Sequence, residues 1–219
     1  IVQGLTEFLP VSSSGHLQIA KALMGVEIEQ NLLFDVTLHA ATVLSTIVVL
    51  WSEVARLLRG LFSRRFNEEQ AYVLKLLLSM IPIGIVGFTL KDRLDALLES
   101  PAILLVVGCM LLVTAALLAF AYYAKPRQKA QLSYRDAFLI GVAQAVAALP
   151  GLSRSGSTIA TGLLLGNRKQ TVAQFSFLMV LAPILGETFL ELMKGNLGAQ
   201  AIGSAPLAAG FVAAFVVGC

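Results

Sequence analysis

Two short stretches of this sequence combine groups that could carry out phosphoryl chemistry. The first, QGLTEFLPVSSSGH (residues 3–16), offers a carboxylate at Glu7, three consecutive serine hydroxyls and an imidazole at His16. The second, ALPGLSRSGST (residues 148–158), places Arg154 among serine and threonine hydroxyls. A guanidinium matches the geometry of phosphate oxygens, and a hydroxyl beside a base can act as a nucleophile. Together the stretches predict an anion site with a nucleophile and an acid or base.

Helical spacing would place several of these groups side by side. Gln3 and Glu7 are four residues apart and therefore share one face of a helix. In the second stretch we predict a half-helix that begins near Ser153–Ser157, where a serine cap and free backbone N–H groups favour an anion. In the first stretch, Gly15 is predicted to permit a tight turn before His16.

The rest of the chain is far more apolar than a soluble domain. Hydrophobic residues make up 57% and charged residues 13%, against about 25% charged residues in soluble proteins. The net charge is +3, but lysine and arginine in the connectors of a membrane protein report orientation. We therefore expect an integral membrane protein and no nucleic-acid partner. Cys109 and Cys219 lie in apolar segments and are expected to be core thiols, with neither a disulfide nor a zinc site.

A membrane-spanning helix needs about 20 mostly apolar residues. The stretches that qualify or nearly do are 34–52, 71–90, 101–124 and 171–190, and a fifth begins near 200. The stretches 1–25 and 136–166 are interrupted by proline, glycine and serine, and each half is too short to cross. Broken segments are tolerated only where their backbone faces protein or water, so we predict two re-entrant helix–loop–helix hairpins. Both ends of the chain lie inside apolar runs, and we expect a fragment truncated at both termini.

The connectors between the predicted spans indicate an orientation. Connectors 53–70 and 125–135 are rich in arginine and lysine, whereas 91–100 carries three acids and two bases. The positive-inside rule puts the first two in the cytoplasm and the third outside. The hairpin of 1–25 then enters the membrane from outside, and the hairpin of 136–166 enters from the cytoplasm.

The two hairpins also repeat each other in sequence. A shift of 141 residues places Gln3 on Gln144, Ser12 on Ser153, Ser14 on Ser155, Gly15 on Gly156, Gly25 on Gly166 and Phe34 on Phe175. A nearly constant offset with opposite orientation is typical of an inverted-topology repeat, whose binding site lies at the repeat interface near the membrane midplane. We predict one all-α polytopic membrane domain over 1–219, with about five transmembrane helices and repeat cores at 1–52 and 136–190.

The two polar blocks resemble the undecaprenyl-diphosphate phosphatases, also called bacitracin-resistance proteins. The resemblance rests on [E/Q]-x-x-x-E followed by FLPVSSSGH and on PGxSRSxxT, and it covers essentially the whole chain. FDVTLHAATVL (34–44) is also similar, with Ala41 where the family commonly has glycine. Asp35 and His39 in this stretch could line an outer vestibule or form an interfacial capping pair. The resemblance implies a bacterial cytoplasmic-membrane enzyme, open to the outer face, that hydrolyses undecaprenyl diphosphate to recycle the cell-wall carrier lipid and confers bacitracin resistance.

Within that activity we expect four catalytic residues. Ser13 is the expected nucleophile, with Ser14 next, and His16 is the expected acid or base. Glu7 would orient the nucleophile or bind a divalent cation, for which Mg²⁺ or Ca²⁺ suits the oxygen ligands best, and Arg154 would hold phosphate. Attack by water or by His16 itself stays open. The expected substrate- and phosphate-binding residues are Gln3, Ser12, Ser14, Ser153, Ser155, Gly156 and Thr158, the last of which could bond the tip backbone instead.

The main alternative is a transporter or a flippase for an anion or a polyprenyl phosphate. Half-helices that meet near the midplane are typical of transporters, and Arg154 could bind an anion only to carry it. A carrier, however, needs no carboxylate and imidazole beside a serine. Glu7 could also serve only as a structural partner of Arg154. The expected partners are a polyprenyl diphosphate and the lipid bilayer, and the oligomeric state is open, a homodimer included.

Overall fold

A computed structural model of the chain describes residues 1–24, 32–98, 100–123, 129, 131–193 and 204–219. The described residues form the helices α1 (Val2–Phe8), α2 (Ser13–Met24), α3 (Leu32–Val49), α4 (Trp51–Leu61), α5 (Glu68–Thr89), α6 (Lys91–Leu98), α7 (Ile103–Tyr123), α8 (Tyr134–Val146), α9 (Arg154–Leu164), α10 (Lys169–Met193) and α11 (Ser204–Gly218). Across those residues, β-type pairing is limited to an isolated bridge between Lys129 and Asn167. The chain is therefore all-α, as the sequence predicts.

Both polar stretches interrupt a pair of short helices. Residues 9–12 separate α1 from α2, and residues 147–153 separate α8 from α9. We call each of these breaks, together with the first turn of the helix that follows it, a tip. These four helices contain 7, 12, 13 and 11 residues, whereas a span needs about 20. The predicted breaks are confirmed at both places.

The turn in the first stretch differs from the prediction. Helix α2 begins at Ser13, so Gly15 and His16 belong to its first turn. The left-handed residue is Ser12, with φ +70°. The hydroxyl of Ser12 accepts a hydrogen bond from the Gly15 N–H at 3.2 Å, and this cap offsets the backbone strain at Ser12. Gly15 is instead required for close packing, as described below.

Two helices among the described residues are long and apolar enough to cross a membrane, α5 and α7. They coincide with the predicted spans at 71–90 and 101–124. Helices α3 and α4 make a third span if the pair is counted as one, although their axes differ by 81°. The predicted spans at 171–190 and beyond 200 fall on α10 and α11, and the count of about five stays a prediction.

The basic connectors meet at one end of the helix bundle. Helices α5 and α8 start together, with Lys75 Nζ 5.3 Å from the ring centroid of Tyr134. The Lys129 N–H donates to the Gly166 carbonyl at 3.0 Å, which brings that connector to the start of α10. We call this the basic end and define it by Arg59, Arg64, Arg65, Lys129, Arg135, Arg168 and Lys169. Helix α6 lies at the opposite end of α5.

The interior is small, and much of the apolar surface faces outward. A core cluster joins α8 to α5 and α10 around Ile140, Leu76 and Phe175. Cys109 and Cys219 are free and exposed, so the prediction of core thiols was wrong. Apolar side chains on an outward face are typical of helices that contact lipid.

The break between α8 and α9 gives a test of the fold. Gly151 has φ +90°, and a Cβ there would lie 2.7 Å from Val107 Cα. We expect Gly151→Ala to cost about 1–3 kcal/mol and to lower the thermal unfolding midpoint of the purified protein in detergent. Gly108→Ala is the matched control, because a Cβ at Gly108 meets nothing within 4 Å. An unchanged midpoint for Gly151→Ala would contradict this tip geometry.

Candidate active site

The carboxylate of Glu7 joins the two broken helix pairs. Its Oε1 accepts a hydrogen bond from Arg154 Nη2 at 2.9 Å, between residues 147 positions apart. Its Oε2 accepts from Ser13 Oγ at 2.5 Å and from Gln3 Nε2 at 3.1 Å. The side chain of Glu7 is 7% exposed and that of Arg154 is 32% exposed. A carboxylate this deeply buried needs such partners to stay ionised.

The first tip fixes the orientation of His16. The carbonyl of Ser12 accepts from the His16 N–H at 3.2 Å and lies 2.8 Å from the ring Nδ1. A carbonyl can only accept, so Nδ1 carries the hydrogen and a neutral ring keeps its lone pair on Nε2. Nε2 is therefore the atom of His16 that is left for proton transfer. Ser12 Oγ also lies 3.4 Å from Ser14 Oγ.

The second tip is a capped helix N-terminus. Ser153 is the N-cap of α9, and its Oγ accepts from the Gly156 N–H at 3.0 Å. The Ser153 hydroxyl also lies 3.4 Å from Ser155 Oγ. The predicted cap and helix start are confirmed, and Arg154 is the first residue of a helix whose N–H groups favour an anion.

The two tips are in close contact at glycine residues, which have no side chain. A Cβ on Gly15 would lie 3.1 Å from Gly151 Cα, and a Cβ on Gly156 would lie 3.1 Å from the Pro10 carbonyl. The Ser155 hydroxyl donates to the Leu9 carbonyl at 3.3 Å. The glycines therefore allow the backbones to approach closely enough for Arg154 to reach across to Glu7.

A pocket opens beside the Glu7–Arg154 pair, between α3 and α10. Its polar wall includes Thr42 and Thr46 of α3 and Ser176 of α10, and its apolar wall includes Val180 and Ile184 of α10. Charged, hydroxyl and apolar side chains thus line the same pocket.

The predicted site residues form one group around the tips. Gln3, Glu7, Ser13 and Arg154 share a hydrogen-bonded network. The tips around that network also contain Ser12, Ser14, Ser153, Ser155 and Gly156. Thr158 points elsewhere, because its hydroxyl contacts the Arg154 carbonyl at 2.9 Å and Ser176 Oγ at 2.5 Å. It thus contacts the tip backbone, which is one of its two expected roles.

Sequence reasoning missed two supporting residues, Thr114 and Ser176. Thr114 in α7 accepts the Ser153 N–H at 3.0 Å and so fixes the cap of α9. Ser176 fixes α9 against α10 through Thr158. The sequence did contain a sign of the role of Thr114, since a buried hydroxyl midway along a very apolar helix needs a hydrogen-bond partner. His39 lies in α3, and the side chain of Asp35 lies outside the described residues.

The ion pair between the tips is testable by a double-mutant cycle. Arg154→Met leaves Glu7 buried without its cation. Removing one partner of a fully buried ion pair lowers the free energy of unfolding by about 3–5 kcal/mol. We expect a smaller loss here, because Arg154 is partly exposed. Adding Glu7→Gln should recover part of that loss, with a coupling energy of about 0.5–3 kcal/mol, measured by unfolding in detergent.

The control for this cycle is Arg56→Met. Arg56 pairs with Glu53 at 2.8 Å and with Glu69 at 3.1 Å, but its side chain is 47% exposed. Such surface pairs contribute about 0–1 kcal/mol. Strictly additive effects of the Glu7 and Arg154 substitutions would contradict a direct ion pair.

Comparison with known proteins places the chain in a family. A family model described as bacitracin resistance protein BacA matches residues 1–219. A relative from Parabacteroides distasonis named undecaprenyl-diphosphatase is 63% identical over 222 residues, which cover 100% of this chain and 83% of the relative. Relatives of the same name from Bacteroides fragilis and Methanosphaera stadtmanae are 60% and 34% identical, over 100% and 99% of this chain and 83% and 82% of their own lengths. The chain belongs to the bacitracin resistance protein family.

Proposed function

We propose that this chain hydrolyses undecaprenyl diphosphate to undecaprenyl phosphate and phosphate. The observation that carries the proposal is the contact of Ser13 with Glu7, beside Arg154 on the facing tip. It combines a nucleophile, a proton acceptor and a phosphate-binding cation at one point. The name undecaprenyl-diphosphatase, carried by relatives 58–63% identical to this chain, supports the substrate.

Ser13 is the proposed nucleophile. Its hydroxyl already donates to Glu7 Oε2 at 2.5 Å, so the carboxylate can take the proton as Oγ attacks the terminal phosphorus. A bond forms between Ser13 Oγ and phosphorus, and the bond from phosphorus to the bridging oxygen breaks. Undecaprenyl phosphate leaves, and the phosphoryl group stays on Ser13 until water replaces it.

Arg154 is proposed to stabilise the charge of the transferred phosphoryl group. Its side chain is about one third exposed and lines the pocket, and the guanidinium has more donors than the single bond to Glu7 requires. Arg154 and Ser155, which both line the pocket, lie in the first turn of α9, where backbone N–H groups favour an anion. Electrostatic stabilisation of this kind is usually the largest contribution to phosphoryl transfer.

His16 is proposed as the acid and base of the two steps. Its Nδ1–H is held by the Ser12 carbonyl, so the imidazolium form of His16 can protonate the leaving oxygen from Nε2, and the neutral ring that results can take a proton from the attacking water at the same atom. Direct attack of water on the diphosphate, without a phosphoserine, is the alternative for the first step.

A divalent cation, Mg²⁺ or Ca²⁺, remains part of the proposal. Gln3 Oε1 is buried and has no hydrogen-bond partner among the residues that the structure describes, and it lies next to Glu7; these two oxygen donors fit such an ion. Within the described part of the chain, no group of three or more His, Cys, Asp or Glu residues could hold a metal. The remaining ligands would therefore come from the diphosphate and water, and the ion would offset the charge of the substrate. We infer that it enters together with the substrate.

We further propose that the two broken helix pairs are re-entrant hairpins of an inverted repeat. The cap bond from Gly15 to Ser12 recurs from Gly156 to Ser153, at the sequence offset of 141 residues. The packing also recurs, because α5 contacts α8 and α10 while α11 contacts α1 and α3. These matches support repeat cores at 1–52 and 136–190; that division and a homodimer stay predictions.

We propose that the site faces the cell exterior from the bacterial cytoplasmic membrane. Gly15 and Gly151 pack against Val107, near the start of α7 and thus toward α6. The basic end, expected in the cytoplasm, lies at the opposite end of α5. The lipid bilayer supplies the substrate sideways, because the polyprenyl chain cannot leave it.

The nucleophile can be identified by comparing two neighbouring serines. Ser13→Ala removes the hydroxyl bonded to Glu7, and we expect phosphate release to fall by about a thousandfold or more, with no phosphoenzyme trapped from substrate labelled in its terminal phosphate. Ser14→Ala is the matched control, since Ser14 is exposed and its hydroxyl lies 3.4 Å from Ser12 Oγ rather than on Glu7. We expect it to lose less than about tenfold. Equal losses in both variants, or a trapped phosphoenzyme in Ser13→Ala, would contradict the assignment.

The proposed route of the metal gives a separate prediction. Because the protein alone supplies few ligands, Mg²⁺ should bind weakly to the free protein and much more tightly with a non-hydrolysable prenyl diphosphate analogue. Calorimetric titrations with and without the analogue measure the difference, and EDTA should abolish phosphate release. Full activity in EDTA would exclude the cation, and tight Mg²⁺ binding to the free protein would contradict entry with substrate.

A further inference from the structure

Helix α4 carries an exposed apolar stripe that no part of the site uses. Trp51 and Leu58 of α4 and Phe62, the residue directly after it, are spaced by seven and four residues, so they lie along one side of the helix. Their exposed fractions are 60%, 51% and 85%. The neighbouring face is polar and includes Arg56 and Arg59. Helix α4 is therefore strongly amphipathic and, taken as a whole, not apolar enough to resemble a span.

The position of α4 is fixed by the start of α5. The 81° bend after α3 turns α4 away from the direction of the span. Leu57 packs into the core cluster with Leu76, and the Asn67 side chain donates to the Gly60 carbonyl at 2.9 Å. Helix α4 is thereby held at the basic end, at the level of the first turns of α5. An amphipathic helix at this level has its apolar face toward the lipid and its charges toward the headgroups.

The arginines beside the stripe differ in their partners. Arg56 is neutralised by Glu53 and Glu69. Arg59, Arg64 and Arg65 are exposed, and none has a carboxylate partner within the residues that the structure describes. Unpaired guanidinium groups next to apolar side chains leave a surface that attracts anions which also carry apolar chains.

We propose that α4 and the turn after it, residues 51–66, bind anionic phospholipids of the bilayer. The stripe of Trp51, Leu58 and Phe62 contacts the acyl chains, and Arg59, Arg64 and Arg65 bind the lipid phosphates, for which a guanidinium fork is suited. This surface lies at the end of the bundle opposite to α6 and does not depend on the phosphatase proposal. A second copy of the chain is a poorer occupant, because a symmetric contact would place the unpaired arginines against each other.

Trp51 makes the proposal directly measurable, because it is the one tryptophan of the chain. The protein is reconstituted in phosphatidylcholine vesicles that contain a fixed minor fraction of either brominated phosphatidylglycerol or brominated phosphatidylcholine. Bromine quenches tryptophan fluorescence only at short range. We expect the brominated anionic lipid to quench Trp51 several-fold more effectively than the neutral one at equal fraction, and the difference to shrink at high salt.

Two single substitutions distinguish lipid binding at residues 51–66 from a general effect of the protein's positive charge. Arg64→Gln should lower the preference for the anionic lipid by up to about fivefold. Arg93→Gln removes an exposed arginine from α6 at the other end of the bundle and should leave the preference unchanged. Equal quenching by the two brominated lipids, or an equal effect of both substitutions, would overturn the proposal. Weak quenching by both brominated lipids would also overturn the proposal, since the stripe would then be covered by protein.

Discussion

The ion pair between Glu7 and Arg154 is the interaction on which the arrangement of the site depends. It links two chain segments that belong to different halves of the sequence, and it lies where a lone charge would be expensive. The close approach of Gly15 to Gly151 makes the pair sterically possible. The same carboxylate holds Ser13. One buried charge thus fixes the distance between the tips and the position of the nucleophile.

Local rules were enough to predict several parts of this site from the sequence. The four-residue spacing of Gln3 and Glu7 gave a hydrogen bond on one helical face, and Ser153 proved to be the N-cap that its residue type and position favour. The interruptions by proline, glycine and serine located both helix breaks. Each of these features depends on a few neighbouring residues, which explains why sequence reasoning reached them.

Features that depend on distant contacts were not predictable in this way. The left-handed turn falls on Ser12, and Gly15 is needed for the close approach of the opposite tip. The Thr114 hydroxyl accepts a hydrogen bond from the Ser153 N–H, 39 residues away. The bend between α3 and α4 accompanies the packing of α4 against α5. The exposure of Cys109 reflects the surrounding medium, since the usual tendency of apolar side chains to face inward does not hold in lipid.

The central claim is that one phosphate is held between the two tips, on Ser13 and Arg154 together. A structure determined with orthovanadate, which mimics a phosphoryl group in transfer, tests it most directly. We expect vanadium bonded to Ser13 Oγ, with vanadate oxygens accepting hydrogen bonds from the Arg154 guanidinium and from N–H groups at the start of α9. Vanadate bound away from the tips, or bonded to another residue while Arg154 stays on Glu7 alone, would contradict the account.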